Sequence, residues 1–372
     1  MTGAVLFLHS ADAANTNAQA KNVQGLLAHW PDAGPRAAAL SFAEVAPEIA
    51  GRPGIINRTL SDGRLWPWRV ALEMQADYRA IVAPGLHIWA DWLGVWMRKA
   101  SGRSVPLITT VEGLLGAAPD ATAECARYAG AAGHAVYCQP VAEGTLRRRR
   151  RLHRQATHII AISPFLARMT TLDHPGKVST LPLGIDDGVF HARGRSRRDR
   201  PLVMAVGNVR AHKRPGMMLD LAARFGGADF VWYGEGELRA ELSEAAARRR
   251  LANLRFPGAL APAALAECYR SADVLVIPSR AEGVPKVSQE AAACGVAQVL
   301  FGFYEAPSVI DGVNGFVVWD DAAMAARVGE LIDDAALSRR MGDAGAEMAR
   351  DWPWRGVAQR WRRRILEVIG AS

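Results

Sequence analysis

Cysteine is scarce: Cys125, Cys138, Cys268 and Cys294 are the only four in 372 residues. No two stand at the spacing of a metal-binding knuckle or a redox dithiol. The four therefore read as reduced, packed thiols of a cytoplasmic protein. Long apolar runs are missing too. Nothing approaches the roughly 20 apolar residues of a membrane-spanning helix. The apolar stretch Ala4–Leu8 has no basic leader and is too short for a secretory signal. Any membrane contact is thus expected to be peripheral, at the inner face. Short-period repeats and low-complexity tracts are absent. With 50% hydrophobic and 22% charged residues, global disorder is excluded. Acid is in deficit, 37 residues against 45 Lys and Arg, which gives a net charge of +8. That balance favours anionic partners without choosing between phosphate-bearing substrates, an acidic membrane and nucleic acid.

What is present is a rhythm of short apolar runs and amphipathic stretches. In the first half, strands are predicted at 4–9, 36–42, 78–85, 106–113, 157–163 and 177–183, with helices at 17–30, 87–100 and 144–156. In the second, strands are predicted at 201–207, 229–234, 253–258, 273–279, 296–302 and 315–319, with helices at 214–225, 237–250, 262–272 and 286–295. This alternation implies an α/β fold with doubly wound parallel sheets covered on both faces. The length allows two domains, each with its own core. The polar, basic stretch 186–200 reads as the linker between them. A last helix is expected over 354–370, after a Trp-Pro-Trp break.

The most informative segment is PSRAEGVPKVSQEAAACG, 278–295. It leaves a buried-looking strand, turns through Glu282 and Gly283, passes Val284 and enters a helix near Pro285. The free N–H groups of such a first turn, with the helix dipole, suit a phosphate, and Lys286 adds charge. Glu282 falls in a loop at the carboxyl edge of the sheet, where ligands of such folds bind. Glu290 follows eight positions later, so the two carboxylates are placed to grip hydroxyls at opposite ends of one ligand.

The Glu-(seven residues)-Glu pattern from Glu282 to Glu290, followed by Ala-x-Ala-x-Gly, resembles glycosyltransferase family 4. LPLGIDDGVF (181–190), AVGNVRAHKRP (205–215), VWYGEGELRAEL (231–242) and DGVNGFVV (311–318) match further family segments in the same order. The resemblance implies the GT-B fold: two Rossmann-like domains facing across a cleft. Residues 1–186 would form the acceptor-binding domain and 187–353 the nucleotide-sugar donor-binding domain, with 354–372 packing back on the first. It also implies a retaining, metal-independent transferase in polysaccharide or glycolipid synthesis, with a nucleotide-diphosphate-sugar as co-substrate, no cofactor, and a carbohydrate or lipid-linked acceptor.

Carried over residue by residue, Glu282 meets the donor sugar, Glu290 the ribose, and Lys213 the diphosphate. The family's arginine is here Asn208, and Arg210 stands in for it. Gly207, Gly283, Val284, Pro285, Lys286 and Gly234 line the donor loops; Gly234 and Gly236 equally serve to turn a strand into a helix. The family's glycine pair after the first strand is replaced by ADAANTNAQA (11–20), where Asn15, Thr16 and Asn17 are helix-cap and phosphate candidates. Glu112, His134, His9 and Asn17 are candidates for the acceptor side; a lone histidine is as readily structural.

Five arginines, Arg147–Arg151, sit on a predicted helix. They form either a solvated face or a dock for an anionic membrane. Trp66 and Trp68, with Trp89, Trp92 and Trp96, cluster in the first half; the second set has helical spacing and reads as a packed core face, or else as an aromatic patch facing a membrane or the acceptor. Two other readings remain beside the enzyme: a GT-B-like binding subunit without chemistry, motivated by Asn208, and a nucleic-acid-binding protein. The second lacks a recognised module, so no nucleic-acid partner is expected.

Overall fold

In the computed structural model, residues 3–8, 18–32, 34–41, 49, 55–59, 78–84, 88–100, 105–117, 121–196 and 198–371 are described. The chain divides into two compact units. The first holds Met1–Glu124, Pro140–Gly184 and Trp352–Ser372; the second holds Cys125–Gln139 and Ile185–Asp351.

The first unit carries strands β1 (Ala4–Leu8), β2 (Ala37–Ser41), β3 (Ile55–Thr59), β4 (Tyr78–Ala83), β5 (Leu107–Val111), the short β6 (Leu115–Ala117) and β7 (Gln139–Val141), β8 (His158–Ala161) and β9 (Val178–Thr180). Seven of these form one sheet in the order β3-β2-β1-β4-β5-β8-β9, with parallel pairing between neighbours. β1 and β5 are buried along their whole length, as strands covered on both faces must be. The edge strand β3 reads IINRT. Its polar half breaks the apolar signal, and it was not among the predicted strands.

The second unit carries β10 (Leu202–Val206), β11 (Asp229–Tyr233), β12 (Leu254–Gly258), β13 (Val274–Ile277), β14 (Ala297–Phe301) and β15 (Gly315–Val318). They pair in parallel in the order β12-β11-β10-β13-β14-β15. The central β13 and β14 are buried throughout. The edge strand β12 alternates, with Leu254 and Phe256 inward and Arg255 and Pro257 outward. Both sheets therefore have the doubly wound arrangement that the alternation of elements implied. Within the expected linker, residues 187–189 and 193–194 form turns.

The helix Trp354–Gly370 belongs to the first unit. Trp354 is buried and wedged between two glycines: a Cβ on Gly25 or on Gly184 would collide with its indole. Trp361 adds a hydrogen bond from Nε1 to the Pro182 carbonyl at 2.9 Å.

Three expectations need correction. A continuous boundary at 186/187 does not describe the compact units, because 125–139 group with the second. Tyr137 meets Phe303 edge-on at 4.9 Å, and His134 packs on Trp319 at 5.0 Å. The cysteines are not all free: Cys125 and Cys138, with Cα atoms 5.9 Å apart, form a disulfide. The helix Ala121–Ala132 and its return loop bring together two residues whose spacing matches no motif. Only Cys268 and Cys294 are free. Third, Trp96 is not part of a packed face. It is 41% exposed, while Leu93 and Met97, one turn apart, take the inward positions. The side chains of Trp89 and Trp92, and all of Trp66 and Trp68, lie outside the described residues.

Candidate functional site

The carboxyl ends of β10, β11, β13 and β14 emit the loops that hold most of the predicted donor residues. After β10, Gly207 and Asn208 lead into the turn Arg210–Lys213, closed by a bond from the Lys213 N–H to the Arg210 carbonyl at 2.9 Å. After β11, Gly234 and Gly236 run against this loop. The Gly207 N–H donates to the Tyr233 carbonyl at 3.0 Å and the Val209 N–H to the Glu235 carbonyl at 2.9 Å. Gly234 has φ +151°, and a Cβ there would strike the Gly207 carbonyl. Its immediate role is close backbone approach.

After β13, the chain passes Ser279 and Glu282 into the helix Lys286–Ala293, whose N-cap is Pro285. Gly283 and Pro285 are buried, and Val284 and Lys286 half-buried. Here the two loops meet. Lys213 Nζ lies 2.5 Å from Glu282 Oε1, and the Ser279 hydroxyl donates to the same oxygen at 2.5 Å. The Glu282 side chain is 8% exposed and that of Lys213 24%. An ammonium and a carboxylate separated by 69 positions are thus brought into one half-buried contact. Arg210, at the head of the same turn, is exposed.

The electrostatics around this pair follow from burial. Burial, and then the neighbouring Lys213, holds His212 below its ordinary pKa. The buried phenol of Tyr304 is pushed well above its usual value by burial and then by the Glu282 charge. Its hydroxyl, buried within the loop after β14, meets no hydrogen-bond partner among the described residues. Beside the Lys213–Glu282 pair stands a second one. Arg214, in the left-handed conformation at φ 54°, grips Asp321 with two bonds of 2.9 and 2.5 Å. The guanidinium of Arg214 holds the Asp321 carboxyl below the usual carboxylate range. Arg280 reaches the same carboxylate at 3.6 Å.

Glu290 sits apart from this contact. It is half-buried and faces the fully buried Tyr269, whose phenol is raised by burial and then by the Glu290 charge. His134, from the segment 125–139, also lies in the second unit; its Nε2 is 3.1 Å from Glu305 Oε1. Glu112 is in the first unit, at the end of β5. It accepts a bond from Asn22 Nδ2 at 2.9 Å beside a small pocket that Thr110, Phe7 and Trp354 also line. The remaining acceptor-side candidates, His9 and Asn17, and the helix-cap and phosphate candidates Asn15 and Thr16, lie outside the described residues.

Sequence reasoning missed Ser279, Tyr304, Arg214 and Asp321. Ser279 carried a usable signal, three residues before Glu282 at the end of a predicted strand. Asp321 carried none: only the strand order brings it to Arg214.

Residues 200–334 match the family model described as Glycosyl transferases group 1. That stretch contains Lys213, Glu282, Glu290 and Asp321. The chain is 30% identical over 204 residues to a D-inositol 3-phosphate glycosyltransferase of Segniliparus rotundus, a match covering 50% of this chain and 45% of that protein. The chain thus spans about half the length of the curated relatives it matches. Among solved structures, sucrose-phosphate synthase from Thermosynechococcus elongatus superposes with a TM-score of 0.79 at 19% identity, covering 100% of both chains. HepE from Anabaena, in complex with UDP and glucose, superposes with a TM-score of 0.72 at 18% identity, covering 97% of this chain and 98% of that one. At such identities the likeness concerns the fold, and the fold is GT-B, with two Rossmann-like units.

Proposed function

We propose that the chain is a retaining glycosyltransferase that moves a sugar from a nucleotide-diphosphate-sugar to a carbohydrate or lipid-linked acceptor, in polysaccharide or glycolipid synthesis. The observation that carries this reading is the Lys213–Glu282 contact at the carboxyl edge of the second sheet, inside the segment that matches the family model. The solved neighbour HepE holds UDP and glucose, which supports a donor of that class.

In this reading the second unit binds the donor and the first the acceptor. Transfer breaks the bond between the anomeric carbon and the diphosphate oxygen and forms one to the acceptor oxygen on the same face. The acceptor's proton passes to the leaving diphosphate. Negative charge therefore grows on the diphosphate, and a fixed ammonium beside it lowers the barrier by about 2–4 kcal/mol, by comparison with oxyanion donors. Lys213 supplies that ammonium, with Arg210 on the same turn as the second cation. The two cations do the work that a metal ion does elsewhere, so no metal is required. The N–H groups of the turn Gly283–Lys286 add donors for the phosphate. Glu282 accepts hydroxyls of the donor sugar, Glu290 those of the ribose, and Glu112 takes the acceptor side.

The test is donor hydrolysis and transfer by the purified chain across a panel of nucleotide-diphosphate-sugars, with Glu282→Ala and Lys213→Ala alongside. We expect turnover by the parent and a loss of about 30- to 1,000-fold in each variant. Undiminished turnover in both variants defeats the site assignment. No binding of any nucleotide diphosphate by calorimetry defeats the enzyme reading.

A further inference from the structure

The loops that carry Lys213 and Glu282 leave different strands, and a third element ties them together. Arg214, the residue after Lys213, holds Asp321 with both prongs of its guanidinium: Nη1 to Oδ1 at 2.9 Å and Nη2 to Oδ2 at 2.5 Å. Two planar groups paired in this way fix angle as well as distance. The same Nη1 donates to the Pro278 carbonyl at 3.3 Å, one residue before Ser279 on the loop that carries Glu282. Arg280, two residues before Glu282, reaches Oδ1 of the same carboxylate at 3.6 Å. Phe301, at the end of β14, lies under both guanidinia, whose central carbons stand 5.5 and 5.8 Å from its ring centroid. Asp321 thus holds a neighbour of each half of the Lys213–Glu282 pair.

This carboxylate comes from a distant part of the sheet. It opens the helix Asp321–Asp333, which follows the edge strand β15, whereas Arg214 follows β10. Those strands are three positions apart, roughly 14 Å. The helix packs back across β14 and β13, which brings its first turn to Arg214. The helix start does not itself account for Asp321. Asp320 already caps it, accepting from the Ala323 N–H at 2.7 Å. The grip is also held against a backbone cost. Arg214 sits at φ 54°, a left-handed conformation that a long side chain rarely adopts and that clusters at functional sites.

We propose that Asp321 is a positioning residue for sugar transfer: acting through Arg214 and Arg280, it fixes the Lys213 ammonium and the Glu282 carboxylate in the register that transfer needs. The proposal rests on the transferase reading and adds to it a residue outside the donor loops. Charge on the leaving diphosphate grows as the anomeric bond breaks, so an ammonium held in place stabilises the transition state more than the bound donor. A displacement of about 1 Å is enough to lower turnover by about 100-fold. Loss of the grip should therefore appear in turnover and not in donor binding.

The test compares the full chain with Asp321→Ala, Arg214→Gly and the double variant, on a panel of UDP-, GDP- and ADP-hexoses. Glycine accepts the left-handed backbone at 214, so that variant removes the grip and leaves the turn. Each single variant should show a kcat lowered about 30-fold, with the calorimetric Kd of the intact donor moved less than about threefold. The double variant should lose no more than about threefold beyond either single one, because both remove the same contact. A purely structural role would lower urea stability and donor affinity together. Three results overturn the proposal: parent-level kcat in both single variants, losses that multiply in the double variant, and donor affinity that falls as far as kcat. If the parent neither binds nor turns over any probe, the transferase reading fails and this proposal falls with it. An active parent with undiminished variants defeats this proposal alone.

Discussion

Removing Lys213 alone should harm the protein more than removing Lys213 together with the charge of Glu282. At 2.5 Å and an effective dielectric of about 20, the attraction between the two is about 7 kcal/mol before desolvation. Taking both ions out of water offsets several kcal/mol for each, which leaves the intact pair near break-even. Lys213→Met removes the attraction but leaves a carboxylate only 8% exposed, held by the Ser279 hydroxyl alone. Such an orphaned charge costs about 3 kcal/mol, the lower end of the usual range, because the 24% exposure of the lysine side chain lets water in. Lys213→Met with Glu282→Gln removes both charges and keeps an acceptor for Ser279, so its stability should return to within about 1 kcal/mol of the parent. Turnover should not return: the single variant should lose about 30- to 1,000-fold, and the double variant should stay as low. Urea titration at unchanged slope reads the first quantity, and donor hydrolysis reads the second. The reasoning is refuted if Lys213→Met is as stable as the parent, or if the double variant loses the sum of the two single losses.

Ser279 and His153 offer two further tests. Ser279→Ala removes one of the two donors to Glu282 Oε1 and should lower turnover about 10-fold with nucleotide affinity unchanged, since a bond to a charged group is worth about 1.5 kcal/mol or more. An equal loss in nucleotide affinity would show general loosening of the loop instead. Burial first, then Arg149, His174 and Lys177, lower His153 to about 3 from 6.5, so the unfolded chain takes up a proton that the native state refuses. Stability is therefore complete above pH 6.5 and declines as the pH falls towards 3. The loss is about 2 kcal/mol at pH 5. His153→Leu should flatten that slope in urea titrations at a series of pH values, and a slope left intact would assign it to other groups.

Much of the fold was legible because both sheets are parallel and buried, so that strands such as VLVI in β13 and AVLFL in β1 stand out as short apolar runs. The edge strand β3 was illegible for the converse reason: half of IINRT is polar. At the site, Glu282 could be placed in a loop by its Gly and Pro neighbours. Its meeting with Lys213 came only from resemblance, since nothing local links positions 69 apart. The Arg214–Asp321 grip and the pairing of Cys125 with Cys138 depend on topology and a helix return, which no spacing encodes. The arginine run was legible as charge, but which of its arginines face outward needed the helix Glu143–Gln155 and its buried Leu146 and Leu152.

The polypeptide passes from one unit to the other four times, at 124/125, 139/140, 184/185 and 351/352. Neither half is therefore a continuous stretch of gene. A fragment ending at residue 184 would lack the tryptophan that fills the notch between Gly25 and Gly184, and would be left with a hole the size of an indole. The shortest piece able to complete the first sheet's packing is almost the entire chain, so truncation or domain exchange must carry the distant C-terminal helix along with whatever is kept of the N-terminal sequence.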